Sequence, residues 1–418
     1  MSVFRDECRS CAPLLLGAML LALAPPASAQ SLPDNVSAVL DVRMVGADGE
    51  RSWTDEAFGK SRFGDGGRFQ IDAVLAEATL VWRPPISWDV SATVSVTAQD
   101  EQDLPVDVGE AYLSWRPAPA SRTRVSARTG LFWPEISLEH EGGAWTVSDM
   151  ITPSAINSWV GEEVKVVGIE ATASRPAGRG RIAGTIGLFG FNDTAGTLLS
   201  FRGWALHDQK TTAFSRQALP PLNPFIRAIQ PQWTTPTVEI DGRPGFYARL
   251  AWSSAPVSLS AFVYSNRGDP AAVNSDLQWG WDTRFLNLGA RIELAPRTLL
   301  LMQALLGRTD MGPEAGGRYW VETRFRSAYA RVTHETGQAT VSGRVDLFDT
   351  RETGREMDRE ESETGWAAAA ALSWRLSDQA SLIFEGLRVD SERGSRARVG
   401  VAAEQDQNIV QAALRLAL

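Results

Sequence analysis

The feature that most constrains this chain is a two-residue alternation of apolar and polar side chains, which recurs along most of its length. In Ser91–Ala98 (SATVSVTA) the even positions are small or apolar and the odd positions carry hydroxyl groups. Phe246–Trp252 and Val341–Leu347 alternate in the same way, with Arg249 or Arg344 on the polar face. Because successive side chains of a strand point to opposite faces, the pattern predicts strands with one apolar and one wet face.

About sixteen segments of this kind can be counted, and no sustained helical period is found beyond the first thirty or so residues. The alternation slips within 68–83 and 318–335, which predicts bulges or misplaced strand ends there. The predicted strands are 36–45, 68–83, 87–98, 107–117, 121–131, 162–175, 180–192, 245–254, 256–266, 283–295, 297–309, 318–335, 338–349, 364–377, 379–391 and 406–418.

The connections between these segments alternate strictly between long and short. Short ones are Pro84–Ser87, Pro117–Ala120 and Ser254–Ala255, whereas 132–161 and 193–244 are long. An even number of antiparallel strands with such connections is typical of a transmembrane up-and-down β-barrel, with short periplasmic turns and long external loops. The predicted class is therefore all-β. Sixteen strands would enclose an aqueous channel rather than a core filled by side chains.

Tryptophans cluster at the short connections, as in VWRPPISWDV (Val81–Val90) and LSWRPAPASR (Leu113–Arg122). An indole ring is amphipathic, so it suits the headgroup layer of a membrane better than a turn in water. The alternative, tryptophans in the core of a soluble sandwich, does not explain why loop lengths segregate. The predicted aromatic girdle at the periplasmic rim consists of Trp82, Trp88, Trp115, Trp252 and Trp374.

The N-terminal segment predicts export. Arg5 and Arg9 precede the apolar run Leu14–Ala24, and Ala27–Ala29 offers a small-residue cleavage pattern, so 1–29 is expected to be a removed signal peptide. Residues 30–418 are then one multi-pass barrel domain of a bacterial outer membrane. Its expected partners are outer-membrane lipids and, because Asn408–Leu418 keeps one apolar face, the barrel assembly machinery.

Composition excludes several classes of function. The net charge of −9 argues against a nucleic-acid partner. Both cysteines lie in 1–29 and only three histidines are present, so neither a metal nor a cofactor is expected. Phe63–Arg68 and Arg179–Gly184 are glycine-rich, but neither connects a strand to a helix as a phosphate loop does.

Two stretches of the third long connection, GLFWPEISLEHEG (Gly130–Gly142) and TPSAINSWVGEE (Thr152–Glu163), resemble the phosphate-selective porin O and P group. The whole mature chain is similar to Gram-negative sixteen-stranded porins. The resemblance implies that 132–161 folds into the barrel, that its acids face wall arginines, and that the protein forms a homotrimer. Lysine is scarce, however, so a lysine-lined phosphate site is not supported.

Charged residues on the wet faces define the predicted pore. Opposed charges at a narrow waist bias ion selectivity, and arginines outnumber acids on the assigned faces, which predicts a mild anion preference. The alternatives are that Arg122 and Arg124 lie at the rim and that the loop acids are simply solvated. The predicted constriction comprises Arg122, Arg124, Arg128, Glu110, Glu135, Glu139, Glu141 and Asp149. Further pore-lining residues are Arg249, Arg291, Arg324, Arg326, Arg344 and Arg415.

The main functional prediction is a non-catalytic pore for passive diffusion of small hydrophilic solutes and ions. A first alternative is a substrate-specific channel gated by 193–244, a segment expected to be an external lid or an inward-folded plug. A second is a surface adhesin, or a barrel-borne hydrolase that uses a His–Ser pair.

Overall fold

Sixteen strands close into a single antiparallel barrel in the computed structural model, which describes residues 32–67, 69–357 and 359–418. The last strand pairs with the first, so the sheet has no free edge. The predicted all-β up-and-down barrel is therefore confirmed. The predicted signal peptide lies outside the described residues.

The barrel strands lie close to their predicted positions, the largest offset being a start at Val166 where 162 was expected. Two further strands, β8 (Gln217–Ala218) and β9 (Trp233–Thr234), pair only with each other. The barrel strands are β1 Val36–Ala47, β2 Gln70–Trp82, β3 Val90–Gln99, β4 Asp107–Trp115, β5 Arg124–Phe132, β6 Val166–Ala177, β7 Gly180–Gly190, β10 Gly245–Ser254, β11 Val257–Ser265, β12 Asp282–Ala295, β13 Thr298–Met311, β14 Val321–Thr336, β15 Ala339–Glu352, β16 Glu363–Arg375, β17 Ala380–Arg393 and β18 Glu404–Ala417.

The two faces of the wall differ as the alternation predicts. On β15, Arg344 and Asp346 are buried inside the barrel, whereas Val345 and Leu347 are more than half exposed on the outside. An apolar outer face is what a lipid-facing wall requires, and closure leaves no backbone group unpaired at a sheet edge. Within the described part of the chain, no helix is both long and apolar enough to cross a membrane.

The two slips in the alternation have different causes. In β2, Ala76 is an extra residue opposite the Asp41–Val42 step of β1, so the first slip is a bulge, as predicted. The pairing of β14 with both neighbours is regular. The second slip is a misplaced end, because the strand starts at Val321 rather than at 318.

Loop lengths segregate between the two ends of the barrel, which we call the short-turn end and the long-loop end. Three long loops matter below: L1 (residues 48–69), L3 (133–165) and L4 (191–244). The five predicted girdle tryptophans are exposed and lie at the short-turn end. The Trp115 indole also donates a 3.0 Å hydrogen bond to Asp89 in the neighbouring turn.

Within the described residues, the loops contain three short helices and four 3-10 turns. The helices are α1 Ala155–Glu163 in L3, and α2 Thr197–Phe201 and α3 Pro224–Arg227 in L4. The 3-10 turns are Trp53–Asp55, Gly143–Trp145, Arg359–Glu361 and Gly394–Val399. Helix α1 begins after Ser154, whose hydroxyl accepts a 3.3 Å hydrogen bond from the Asn157 backbone, an ordinary N-cap.

The main apolar core lies inside the barrel rather than between sheets. Every residue of α1 and of α2 is buried. Trp159 of L3 packs edge-on against Trp204 of L4 and against Phe285 of the wall, with ring centroids 6.1 and 5.3 Å apart. One contiguous cluster thus joins L3, L4 and wall residues around the barrel.

Candidate functional site

The acidic groups of L3 lie against arginines of the barrel wall. Glu135 accepts a 3.0 Å hydrogen bond from Arg249 on β10, and Glu141 accepts a 2.6 Å bond from Arg291 on β12. Both carboxylates are at least half exposed. These two ion pairs connect L3 to β10 and β12. Because both carboxylates stay largely hydrated, the desolvation cost of the pairs is small.

Two further acids of L3, the buried Glu139 and the partly exposed Asp149, lie against arginines of β14 and β15. The Nη1 atom of Arg331 lies 3.2 Å from Asp149 and 3.6 Å from Glu139, and Nη1 of Arg344 lies 3.7 Å from Glu139. Glu139 also accepts hydrogen bonds of 2.8 Å from the Ser154 backbone and 2.7 Å from the Asn157 amide. The start of α1 is therefore clamped to β14 and β15 by charge.

Other predicted constriction residues have different partners. Arg128 forms bonds of 2.8 and 3.1 Å with Glu170 on β6, not with an acid of L3. The Glu110 carboxylate accepts a 3.3 Å hydrogen bond from the Trp133 backbone. Arg122 and Arg124 are exposed at the short-turn end, so the structure does not bring them to the L3 acids.

The pore-lining prediction is wrong for Arg324 and Arg326. On β14, Phe325 and Tyr329 are buried inside, whereas both arginines are exposed on the outer face. The alternation alone could not orient the start of this strand, because near the long-loop end the outer face leaves the hydrocarbon and can carry charge. Arg415, by contrast, faces the lumen and lies 2.8 Å from Asp41.

Sequence reasoning missed the residues that bind L4 to the opposite wall. Asp208 of L4 accepts hydrogen bonds of 2.5 Å from Arg43 on β1 and 3.1 Å from Arg62 in L1. Burial would raise the pKa of Asp208, but Arg43 and Arg62 outweigh it and hold that pKa well below its usual value. Lys210 donates hydrogen bonds of 2.8 and 2.9 Å to Glu77 on β2.

A buried carboxylate joins L3 to L4. Glu162 at the end of α1 accepts bonds of 2.7 and 2.6 Å from both terminal nitrogens of Arg202, and its Oε1 lies 2.9 Å from Nε2 of His207. Burial would raise the pKa of Glu162, but Arg202 and His207 together lower it to about 2. We call Glu162, Arg202 and His207 the L3–L4 latch.

The next residue, Glu163, is buried without a cation in direct contact. Its carboxylate accepts hydrogen bonds of 2.9 Å from the Leu198 backbone and 2.6 Å from the Trp159 indole. Burial raises its pKa to about 7, because these hydrogen bonds compensate only part of the lost hydration. Glu163 therefore links the docking of α2 to proton binding.

One signal in the sequence could have indicated the burial of L4. The stretch TLLSFRGWAL (Thr197–Leu206) is too apolar for a segment exposed at a cell surface. Its residues are all buried in the lumen. The charged partners on β1 and β2 had no comparable signal, because their contacts with L4 span well over a hundred residues of sequence.

A cavity of about 830 Å³ occupies the short-turn end of the lumen, between the short turns and the buried parts of L3 and L4. Gly142, Gly143 and Ser148 of L3 line it, and we call it the vestibule. Its charged lining is balanced between five arginines and five carboxylates. They are Arg291, Arg297, Arg331, Arg375, Arg415, Glu141, Asp149, Glu293, Glu335 and Asp378.

Among the described residues, one acidic group has the spacing of a metal site. Carboxylate oxygens of Asp193, Glu239 and Asp241 lie within 4.8 Å of one another at the base of L4. Asp193 already accepts a 2.5 Å hydrogen bond from the Ile240 backbone, and Glu239 accepts a 2.8 Å bond from the Phe191 backbone. These bonds hold the two ends of L4 together.

The fold matches solved outer-membrane proteins. OmpT of Vibrio cholerae with loop L8 deleted aligns at 9% identity over 92% of this chain and 99% of that chain, with a TM-score of 0.53. The anion-selective porin of Comamonas acidovorans and the channel DcaP of Acinetobacter baumannii each align at 10% identity and a TM-score of 0.52. Both alignments cover 92% of this chain, with 98% and 97% of those chains.

No protein-family model and no curated protein matches the chain in sequence. At these identities the structural likeness establishes the fold, a sixteen-stranded outer-membrane porin barrel.

Proposed function

We propose that this chain, which has the fold of the sixteen-stranded outer-membrane porins, is a gated channel for small hydrophilic solutes, with L4 as the gate. The observation that carries the proposal is the path of L4, which crosses the lumen and is held there by the latch and by Asp208 and Lys210. Solutes would move down their own gradient, so the channel needs neither a cofactor nor a catalytic residue.

The wall beside L4 supports a gate rather than a permanent plug. On β3 the inward positions are polar throughout: Thr93, Ser95, Thr97 and Gln99. Gln99 bonds to the backbone of Lys210 in L4 at 2.9 Å through both its amide nitrogen and its oxygen. A wall built only to hold a fixed plug could be apolar, whereas these groups can be rehydrated when L4 leaves.

The charges of the closed form also suit a reversible contact. Buried ion pairs gain little over hydrated ions, because the desolvation cost offsets most of the Coulombic attraction. Separating L4 from L3 and from β1 would return Arg202, Glu162 and Asp208 to water. The closed and open forms can therefore lie within a few kcal/mol of each other, as a two-state gate requires.

Weak ion selectivity is the outcome we propose for the open form. The anion preference expected from the sequence counted Arg324 and Arg326, which face outward. The vestibule carries equal numbers of arginines and carboxylates.

A homotrimer remains a proposal from the porin fold, and sedimentation of the detergent-solubilised barrel would test it.

The test is single-channel conductance of refolded protein in a planar bilayer. A variant with residues 198–236 replaced by a short glycine–serine linker should conduct steadily and several-fold more than the wild type, which should open rarely. Folding is checked by the faster gel migration of an unheated barrel. A folded L4-deleted barrel that conducts no better than the wild type would overturn the proposal.

Two alternatives predict other results. A pore specific for one solute gives transport that saturates with that solute in liposomes, whereas a general pore gives only a size cutoff. An adhesin stays closed with or without L4.

For a hydrolase, Ser137 and His140 are in contact at 2.8 Å, but the serine oxygen also accepts hydrogen bonds from the Glu139 and His140 backbones. That geometry is a local turn, and His140 is stacked on Trp145 with centroids 3.6 Å apart.

A further inference from the structure

Four arginines form a lateral row on the outer surface of the barrel. Each directly faces the next across the strand register, from β12 through β13 and β14 to β15, and all four are exposed. We call these residues the arginine row: Arg284, Arg308, Arg324 and Arg351.

Such a row is unfavourable by itself. Directly opposed residues of antiparallel strands have Cβ atoms about 5 Å apart, and like charges at that distance repel. Arg284 is paired with Asp282, and Arg308 lies 3.6 Å from Asp310. Arg324 and Arg351, the half of the row on β14 and β15, lack an ion-pair partner among the described residues.

The distance of the row from the short-turn end indicates which layer of the membrane surrounds it. Arg308 follows Arg297 of its short turn by 11 residues, and Arg351 follows Gln338 of the next short turn by 13. At about 3.3 Å per residue and a strand tilt of about 40°, the row lies roughly 30 Å from the short-turn end. Because the apolar band of such barrels is about 25 Å tall, the row lies just beyond the hydrocarbon, at the depth of the lipid headgroups.

A surface cavity continues from the row toward the loops. It has a volume of about 530 Å³, begins at Asp282 and Arg284, and is lined further out by Arg243 and Arg267. Arg243 is paired with Asp269 at 2.6 Å. The cavity gives room for a bulky polar headgroup beside Arg284, and its charged lining consists of three arginines (Arg243, Arg267, Arg284) and three acids (Asp269, Asp282, Glu314).

We infer that the arginine row binds phosphate groups of anionic lipid headgroups in the membrane leaflet on the long-loop side. Guanidinium groups bind phosphate oxygens through paired hydrogen bonds, and neighbouring arginines of adjacent strands can share one phosphate. A bound phosphate supplies the missing anion beside Arg324 and Arg351. Lipid bound here would hold the barrel at a fixed depth and rotation relative to that leaflet.

The test titrates detergent-refolded protein with a bisphosphorylated lipid A and counts bound lipid by native mass spectrometry. The triple variant Arg308→Gln, Arg324→Gln, Arg351→Gln should bind at least tenfold more weakly than the wild type. The matched control is Arg388→Gln, an outward-facing arginine on β17 that lies 3.2 Å from Asp406 and outside the row. It should bind as the wild type does.

Two further measurements distinguish lipid A from other molecules that carry phosphate. Phosphatidylcholine should bind no better to the wild type than to the triple variant, and millimolar inorganic phosphate should not displace lipid A. Displacement by inorganic phosphate, or equal lipid A binding by the triple variant, would overturn the inference. Should the triple variant not fold, Arg324→Gln alone should weaken binding by a factor of two to five. Conductance should be unchanged in every variant, so this test is independent of the gating proposal.

Discussion

Glu162 of L3 accepts two hydrogen bonds, of 2.7 and 2.6 Å, from the terminal nitrogens of Arg202 in L4, and both side chains are almost completely buried. The pair lies where the two inward-folded loops meet. L3 is bound to the wall of β10 to β15, and L4 is bound to β1 and β2. The Glu162–Arg202 contact therefore completes a bridge of charged groups across the lumen.

Removing one charge of this bridge should open the channel. Glu162→Gln leaves the Arg202 guanidinium buried without its anion, which costs about 3–5 kcal/mol in the closed form. Because Arg202 is rehydrated when L4 moves, the open probability in a planar bilayer should rise at least tenfold. The control is Glu50→Gln, which removes a carboxylate 2.9 Å from Arg396, a buried pair outside L3 and L4. If the two variants open equally often, the latch has no special part in gating.

Proton binding by Glu163 should give the closed form a dependence on pH. The pKa of Glu163 is raised from 4.5 to about 7 in the folded barrel, so the folded state binds this proton more tightly than the unfolded chain does. The resulting gain in free energy of unfolding is complete below pH 4.5 and is lost as the pH rises to about 7. Glu163→Gln keeps an acceptor for Leu198 but cannot ionise. The variant should gain about 3 kcal/mol in free energy of unfolding relative to the wild type between these pH values.

Urea unfolding in lipid vesicles at a series of pH values measures this difference. A difference that stays constant from pH 4 to pH 8 would contradict the account of Glu163.

The buried and exposed acids of L3 should differ in their effect on stability. Glu139→Gln weakens contacts with Arg331 and Arg344 and with the start of α1, so we expect a loss of about 2–3 kcal/mol. Glu135→Gln is the matched control, because its carboxylate is 64% exposed and its pair with Arg249 is worth at most about 1 kcal/mol. Equal losses in the two variants would show that L3 is not clamped through Glu139.

The wall of the barrel was predictable because local patterns determine it. The inward positions of β3 and β15 followed directly from the two-residue period, as did the exposure of Trp82 and Trp374. The alternation failed at Arg324 and Arg326, because a charged side chain near the headgroups is stable on either face. A sequence pattern cannot distinguish the water of the lumen from the water at the rim.

The pairing inside the lumen was predictable in kind but not in detail. Acids of L3 were expected to face wall arginines, and they do, but the partners are Arg249, Arg291, Arg331 and Arg344 rather than the arginines of β5. The direction in which L3 crosses the lumen depends on how Trp159 packs against Trp204 and Phe285. Contacts of that kind join residues far apart in sequence, and the chain offers no local pattern that specifies them.

The most direct test of the central claim, that L4 lies inside the lumen, is thiol labelling of single-cysteine variants of residues 30–418, a segment that contains no native cysteine. Ser200→Cys lies in buried α2, and Ser275→Cys lies in an exposed loop at the same end of the barrel. In proteoliposomes, a bulky maleimide should label Ser200→Cys at least a hundredfold more slowly than Ser275→Cys. Equal labelling rates would show that L4 extends into solvent and that the lumen is not closed by it.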